Sequence, residues 1–549
     1  MSDLSSDAIV RDAIDIRRFP WVRPLLGAYA HGFSALAPLF AGDPADPAAW
    51  TSAIKRVQAA PRDRAGLARV VGAQLERRAA HAHARGAASR LADSATVAVV
   101  TGQQAGLFGG PLYTLLKAVT TIQLARRVAA RDGVVAIPVF WVEADDHDWA
   151  EVRECRVLDQ ELQVRDVELG TLEGAGTQPV GRLILSDAIA PALAALEAAL
   201  PPTEFTADLI DRLRRHYRPG VSMSGAFAAW LDDLLGRHGL VVFDASDPSA
   251  KSMARGVFVE ELTHPSRTAE RVREAASLMQ SLGHVPQVDP ADDAVALFYL
   301  DAQGRRIIRR RDEGFAVGDE TRTAEALVAD ANAHPERFSP NVLLRPLVQD
   351  RLFPTVCYVG GPSELAYQAE LKGVYADFGV EAPLLYPRAS ATVLDTASLR
   401  FLERYTMPFE ALQAQDDSSL NALLVAQLPV EVERAFEAAA REIQERLDAV
   451  KLAVPAIDPT LAGATTTTID KMRDTLGSLH NKIVQASKRK DETLRRQFVR
   501  TRALAFPAGD PQERSLSLAY FVNRSGMTIS DRLIDALPLD MGQHYLLTL

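Results

Sequence analysis

Cysteine is nearly missing from this chain: among 549 residues there are two, Cys155 and Cys357, far apart. That count supports neither a disulfide framework nor a cysteine-based zinc site, and it points to a reducing compartment. Long apolar runs are missing too. None approaches the roughly 18 residues that a membrane span needs, so no membrane partner is expected. The start, "MSDLSSDAIVRDAID", has neither the basic nor the apolar region of a signal peptide. Positive charge is not in excess. The formal net charge of −10 argues against a nucleic-acid partner. A cytoplasmic protein remains, and its 47% apolar residues suffice for packed cores. The length suggests about two to four domains.

Residues 1 to about 90 read as helical, dominated by Ala, Arg and Leu. The pattern changes at Thr96, where "TVAVVTG" suits a buried parallel strand ending at Gly102. A helix from about Pro111 to Ala130 follows, with Leu112, Leu115, Leu116, Val119 and Ile122 at helical spacing. A second strand, about Val134 to Val142, runs into an acidic cluster. Further strands are expected at Leu240–Asp244, Thr355–Val359 and Ala382–Tyr386. Five strands alternating with helices predict an α/β fold built on a parallel, doubly wound sheet. Inserted segments are expected at about 155–220 and 250–340, the second with a hairpin signal in "ALFYLDAQGRRIIRRRDEGFAVG". Later, Val432, Phe436, Ala439, Ile443, Leu447 and Val450 form one heptad-like seam; Ile469, Met472, Leu476, Leu479, Ile483 and Ala486 form another. The Pro455–Gly463 break between them predicts an antiparallel helical pair. The expected division is 1–95, a helical part of the core; 96–400, the sheet with its insertions; 401–505, the helical arm; and 506–549, a segment returning to the core.

Three stretches carry the chemistry. "VVTGQQAGLFGGPLYTLLKA", from Val99 to Ala118, fails the GxxxxGK[ST] pattern, and it fails GxGxxG because residue 104 is Gln. What remains is a strand-to-helix turn, Gly102, Gly106, Gly109, Gly110 and Pro111, that exposes backbone N–H groups at the positive end of a helix and suits an anion. Gln103, Gln104 and Tyr113 add neutral hydrogen bonds. The competing reading is a tight turn that only permits close packing. "EADDHDWAE" places Glu143, Asp145, Asp146, His147 and Asp148 at a strand end, where they repel one another unless cations or amines compensate. Two functions fit: an oxygen-rich divalent metal site, or an acid/base and amine-binding cluster in which His147 titrates near neutrality. A solvated loop capping the next helix fits as well. In "YVGGPSELAYQAEL", the residues Gly360, Gly361, Pro362 and Glu364 repeat the strand–turn–helix arrangement, giving a second candidate cradle or a simple helix cap. Arg345, Tyr358, Tyr367 and Arg388 flank the same edge. Cys357 reads as buried and inert, and Cys155 has no activating neighbour in the sequence. The basic tract of Lys488, Arg489, Lys490, Arg495 and Arg496 reads first as a solvated helix face.

Together these stretches resemble the bacillithiol biosynthesis cysteine-adding enzyme family, BshC. "GLVVFDASDP", "LLYPRASATVLD", "ASKRKDE" and "FPAGDPQERSLSLAYFVNRSG" extend the likeness over essentially the whole chain after about residue 90. The resemblance implies a Rossmann-like core related in architecture to class I aminoacyl-tRNA synthetases, an antiparallel coiled-coil arm and a homodimer. It implies a ligase that joins the carboxylate of L-cysteine to the amino group of glucosaminyl-malate. Neither a HIGH-like nor a KMSKS-like motif is present, so adenylate chemistry does not carry over. No cofactor is fixed; a nucleotide, ATP or ADP, stays open. Asp145, Asp146, His147 and Asp148 are the catalytic candidates, with His147 or Asp146 accepting the amine's proton, and no metal ligand is assigned. Two further readings stand beside this one: a scaffold that binds a nucleotide or small molecule without turnover, and a metal-dependent hydrolase working at the acidic loop.

Overall fold

The β-branched run after Thr96 becomes the middle of a five-stranded sheet. Its strands are β1 (Val97–Gln104), β2 (Ala136–Glu143), β3 (Val241–Asp244), β4 (Thr355–Gly360) and β5 (Leu384–Pro387). They lie in the order β5-β4-β1-β2-β3, and every neighbouring pair is parallel. These are the five strands the sequence predicts. The structure is a computed structural model and describes residues 9–312, 314–427, 430–490 and 492–549. Most of the polar start read for targeting signals lies outside the described residues, as do the side chains of Lys488, Arg489 and Lys490 in the basic tract.

The strand order reverses between β1 and β4, and at such a switch the loops leaving the two strands diverge and open a crevice. β1 is buried from Val97 through Gly102. Val97 and Val99 pack with Trp50, Ile54 and Val57 of α1 (Pro47–Ala59), with Leu124 and Val128 of α2 (Leu112–Asp132), and with Val356 and Val359 of β4. α2 starts after Pro111 and stops at Gly133, which takes the left-handed conformation at φ 67°. α3 (Met223–Leu235) leads into β3, and α4 (Pro248–Thr263) leaves it, capped by Asp247 accepting from the Ser249 amide at 2.8 Å. α5 (Arg345–Leu352) precedes β4, and α6 (Pro362–Gln368) follows it.

The segment after β2 contains the hairpin Glu154–Leu158 with Val164–Glu168. Between α4 and α5 lies an antiparallel five-stranded sheet, in which Ala294–Asp301 and Gly304–Arg311 form the predicted hairpin. One strand departs from the expectation of an all-helical start. Val10–Asp15 pairs antiparallel with Gln543–Leu547, which pairs parallel with Ser390–Val393. That strand exists because of partners remote in sequence, which local periodicity cannot register.

Packing divides the chain into two units, Met1–Val393 with Gln512–Leu549, and Leu394–Pro511. In the second, α7 (Val430–Ala453) and α8 (Ala462–Lys490) run antiparallel. His480 Nε2 lies 3.0 Å from Glu433 Oε1, and its ring meets Phe436 edge-on at 5.0 Å. The seam is shallow: Ile469 and Val484 are buried, while no described residue of α7 is.

Candidate functional site

The carboxyl ends of β1, β2 and β4 open into a cavity of about 410 Å³ at the switch point. Its floor is an ionic cluster. Lys117, the one charged side chain that α2 buries, donates to the Gly102 carbonyl at 2.7 Å and to Gln103 Oε1 at 2.9 Å. Its third partner is Glu364 Oε2 at 2.5 Å. Glu364 also accepts from Tyr358 Oη at 2.5 Å and from the Gly361 amide at 2.7 Å. Burial pulls the Lys117 ammonium below its usual value against the opposing pull of Glu364. Burial alone would raise Glu364, but Lys117, Tyr358 and the Gly361 amide outweigh it and hold the carboxyl low. A buried pair of this kind depends on such extra hydrogen bonds, because desolvation otherwise cancels the Coulombic gain.

One wall comes from α5 and the end of β2. Arg345 donates to Gln349 Oε1 and to Tyr367 Oη, both at 3.1 Å, and its Nε is 3.7 Å from Glu143 Oε2. Glu143 accepts from Trp141 Nε1 at 3.2 Å and from the Asp145 amide at 3.3 Å. Burial pushes the Glu143 carboxyl up; Arg345 opposes this and Asp145 adds to it. The opposite wall is Arg388, held in a two-pronged pair by Glu513 at 3.0 and 2.7 Å with its guanidinium over the Tyr113 ring. Glu513 is itself fixed by Ser390 Oγ and the Ala391 amide. A third side comes from the hairpin, where Arg305 reaches back to Asp146 Oδ1 at 2.9 Å.

Thirteen of the residues singled out by sequence line this cavity: Gly102, Gln103, Gln104, Tyr113, Glu143, Asp146, Arg345, Tyr358, Gly361, Pro362, Glu364, Tyr367 and Arg388. The other catalytic candidates do not. Asp145 is buried against Lys251 of α4. His147, its side chain 44% exposed, touches Asp146 Oδ1 through Nδ1 at 3.1 Å. Asp148 caps the turn Trp149–Val152 through the Glu151 amide at 3.2 Å. The repulsion expected in the acidic loop is therefore relieved by the chain's own Lys251, Arg305 and Arg345. Among the described residues, no three His, Cys, Asp or Glu side chains converge as metal donors.

Both glycine turns differ from the cradles expected of them. The Gly106, Gly109 and Gly110 amides donate to the carbonyls of Gln104, Gly106 and Leu107 at 2.9, 3.2 and 3.1 Å, and the Leu112 amide donates to Leu516 at 2.9 Å. A Cβ on Gly109, where φ is +101°, would sit 2.8 Å from Trp230 Nε1. This is the packing turn, not the open anion site. Gly106, Gly110 and Pro111 border a second cavity of about 260 Å³, whereas Gly109 borders neither. In the other turn Gly360 lies behind the wall, its carbonyl accepting from the Arg388 amide at 2.9 Å, and the Gly361 amide is spent on Glu364. A phosphate at this turn would find no open amide, because the Gly361 N–H already donates to Glu364.

Lys117, Glu151, Arg305 and Arg514 also line the cavity and were missed. Lys117 carried a signal, a cation one turn beyond Tyr113 among the uncharged residues that α2 buries. Arg305 and Arg514 carried none, since each arrives from a distant segment. Both cysteines are buried, and burial pushes Cys155 up to about 12 and Cys357 higher still, so neither is an activated thiol.

Two family models cover the chain. One, described as the Bacillithiol biosynthesis BshC N-terminal Rossmann-like domain, matches residues 12–389, and the C-terminal coiled-coil domain of the same description matches 391–549. Curated relatives carry the name "Putative cysteine ligase BshC". The Salinibacter ruber protein is 34% identical over 524 residues, 94% of each chain. The Koribacter versatilis protein is 33% identical over 489 residues, covering 89% of this chain and 90% of its own. The Chlorobaculum tepidum protein is 31% identical over 468 residues, 82% of each.

Proposed function

The chain belongs to the BshC family of bacillithiol biosynthesis, and from that premise we propose that it is a cysteine ligase whose switch-point cavity joins the carboxylate of L-cysteine to the amino group of glucosaminyl-malate. The observation that carries the chemistry is the meeting of Arg345 and Arg388 with Glu143 in one crevice. Arg345, 3.7 Å from Glu143, and Arg388, held by Glu513, place positive charge on rigid supports beside the position of the malyl carboxylates. The amine must lose its proton before it attacks. Glu143 suits that role: burial raises its carboxyl, and its cationic neighbour stands off at 3.7 Å. Asp146, tied to Arg305, then orients the sugar amine, and His147 lies outside the step. Within this step the residues account for the proton, which passes from the sugar ammonium to Glu143 before the nitrogen attacks.

The test is mass spectrometry of the purified protein with glucosaminyl-malate, cysteine and a nucleotide, and again without the nucleotide. The cysteinyl amide is expected from the wild type. Glu143→Gln should lower kcat by about a hundredfold or more, as loss of a general base does. Absence of the product from the wild type, or full turnover by Glu143→Gln, overturns the reading. A homodimer belongs to the same proposal, supported by the exposed Leu452 and Ile457 on the arm, and light scattering of the purified protein measures it. Among the described residues no helix is long and apolar enough to cross a membrane.

A further inference from the structure

The second cavity shares Gln103, Gln104, Tyr113, Glu151 and Arg514 with the first, so the two meet along one seam. We propose that this smaller cavity is the subsite for the amino-acid substrate, a free α-amino acid with a short side chain. The assignment rests on the ligase reading, which needs two substrates presented to one another. Three observations carry it.

The first is size. About 260 Å³ lies below the roughly 300–1,000 Å³ of pockets for drug-sized ligands and suits an amino acid. The second is charge. Arg305, Arg345 and Arg388 each face an acidic residue, whereas Arg514 on the seam makes no ion pair with a described residue. A partially exposed guanidinium in this position suits a ligand carboxylate. Glu151 lies on the same seam as the acceptor for an ammonium group. Gln104 lines both cavities, and its Oε1 has no hydrogen-bond partner, an acceptor left for a ligand donor. The third is the lining away from the seam, where Val152, Cys155 and Ser517 stand. Their small apolar and thiol surfaces accommodate a –CH₂SH group. Burial keeps Cys155 protonated, so it does not compete as a nucleophile. Glu154 and Arg156, also on this cavity, answer each other at 3.5 Å.

Bound in this way, the amino acid puts its carboxyl carbon at the seam, facing the amine held in the first cavity. Its side chain points away from the reaction. The subsite therefore selects by side-chain length: L-cysteine and L-serine fit, and L-leucine or L-phenylalanine would strike the Val152 and Cys155 wall.

Steady-state kinetics of the full chain, with each substrate varied in turn, test this. Arg514→Ala should raise KM for cysteine about tenfold or more, the loss of one charge-assisted contact, and leave KM for glucosaminyl-malate within about twofold. Cys155→Leu, which fills the inner end, should also act on cysteine alone, and circular dichroism checks that it folds. Isothermal titration with L-cysteine and L-serine reads the subsite independently of turnover, and both variants should weaken that binding. Equal effects on both substrates, an effect on glucosaminyl-malate alone, or unaltered cysteine binding in folded variants would overturn the assignment. A wild type that binds cysteine in this way yet forms no amide would instead refute the ligase reading and leave the subsite standing.

Discussion

Lowering the pH from 7 toward 4 should weaken the core unit through His544, on the strand Gln543–Leu547. Its ring lies between Ser390 Oγ, 2.7 Å from Nδ1, and Thr392 Oγ1, 2.9 Å from Nε2. Burial drives its pKa from the usual 6.5 to about 4, against the pull of Glu513. The folded protein thus holds this imidazole neutral where the unfolded chain already binds a proton. Stability is fully present above pH 6.5 and drains away as pH falls toward 4. At about 1.4 kcal/mol per pH unit, the full linkage amounts to about 3 kcal/mol, and about 2 kcal/mol is gone by pH 5. Urea unfolding of the wild type and His544→Gln, followed by tryptophan fluorescence at pH 7, 6 and 5, isolates this contribution. At pH 7 the variant should be less stable by about 1 kcal/mol for its altered hydrogen bonds. At pH 5 that gap should close or reverse, because the amide cannot take up a proton. If the two proteins lose stability in parallel from pH 7 to 5, His544 is not the group responsible.

Three further outcomes follow from the site. Glu364→Gln leaves Lys117 buried without its anion and should cost roughly 3 kcal/mol, whereas Lys117→Met combined with Glu364→Gln should cost less than the two single changes together; a urea double-mutant cycle measures the coupling. Gly109→Ala meets both the positive φ and Trp230 and should cost roughly 1–3 kcal/mol, seen as a fall in Tm. His147→Ala should keep kcat within about twofold, because the half-exposed imidazole stands outside the cavity; a drop of about a hundredfold would return the proton acceptor to His147.

The sheet was legible because its strands are buried on both faces and read as β-branched runs bounded by turn residues. The strand Val10–Asp15 was not, since it owes its existence to Gln543–Leu547 and not to its own pattern. The site was legible as far as strand ends show it: Gln103 and Glu143 stand at the ends of β1 and β2, Gly361 follows β4, and one edge brings them together. Glycine spacing misled for a physical reason. Spacing reports where the backbone can turn, but not whether its amides are already bonded, and at Gly109, Gly110 and Gly361 they are. Arg305 and Arg514 were invisible because a hairpin and a returning segment deliver them across the fold.

The Arg388–Glu513 wall has a consequence for how the protein is made. Its arginine precedes the helical unit Leu394–Pro511 and its glutamate follows it, while the strand bearing His544 comes later still. A ribosome exposes Arg388 well before Glu513 exists, so a nascent chain carries an unfinished cavity with an uncompensated guanidinium. The site closes only when the final segment has emerged and returned to the sheet. A chain that stops short of Glu513 is therefore a ligase core without its wall, and the segment most remote from the first strand acts as the last step of assembly.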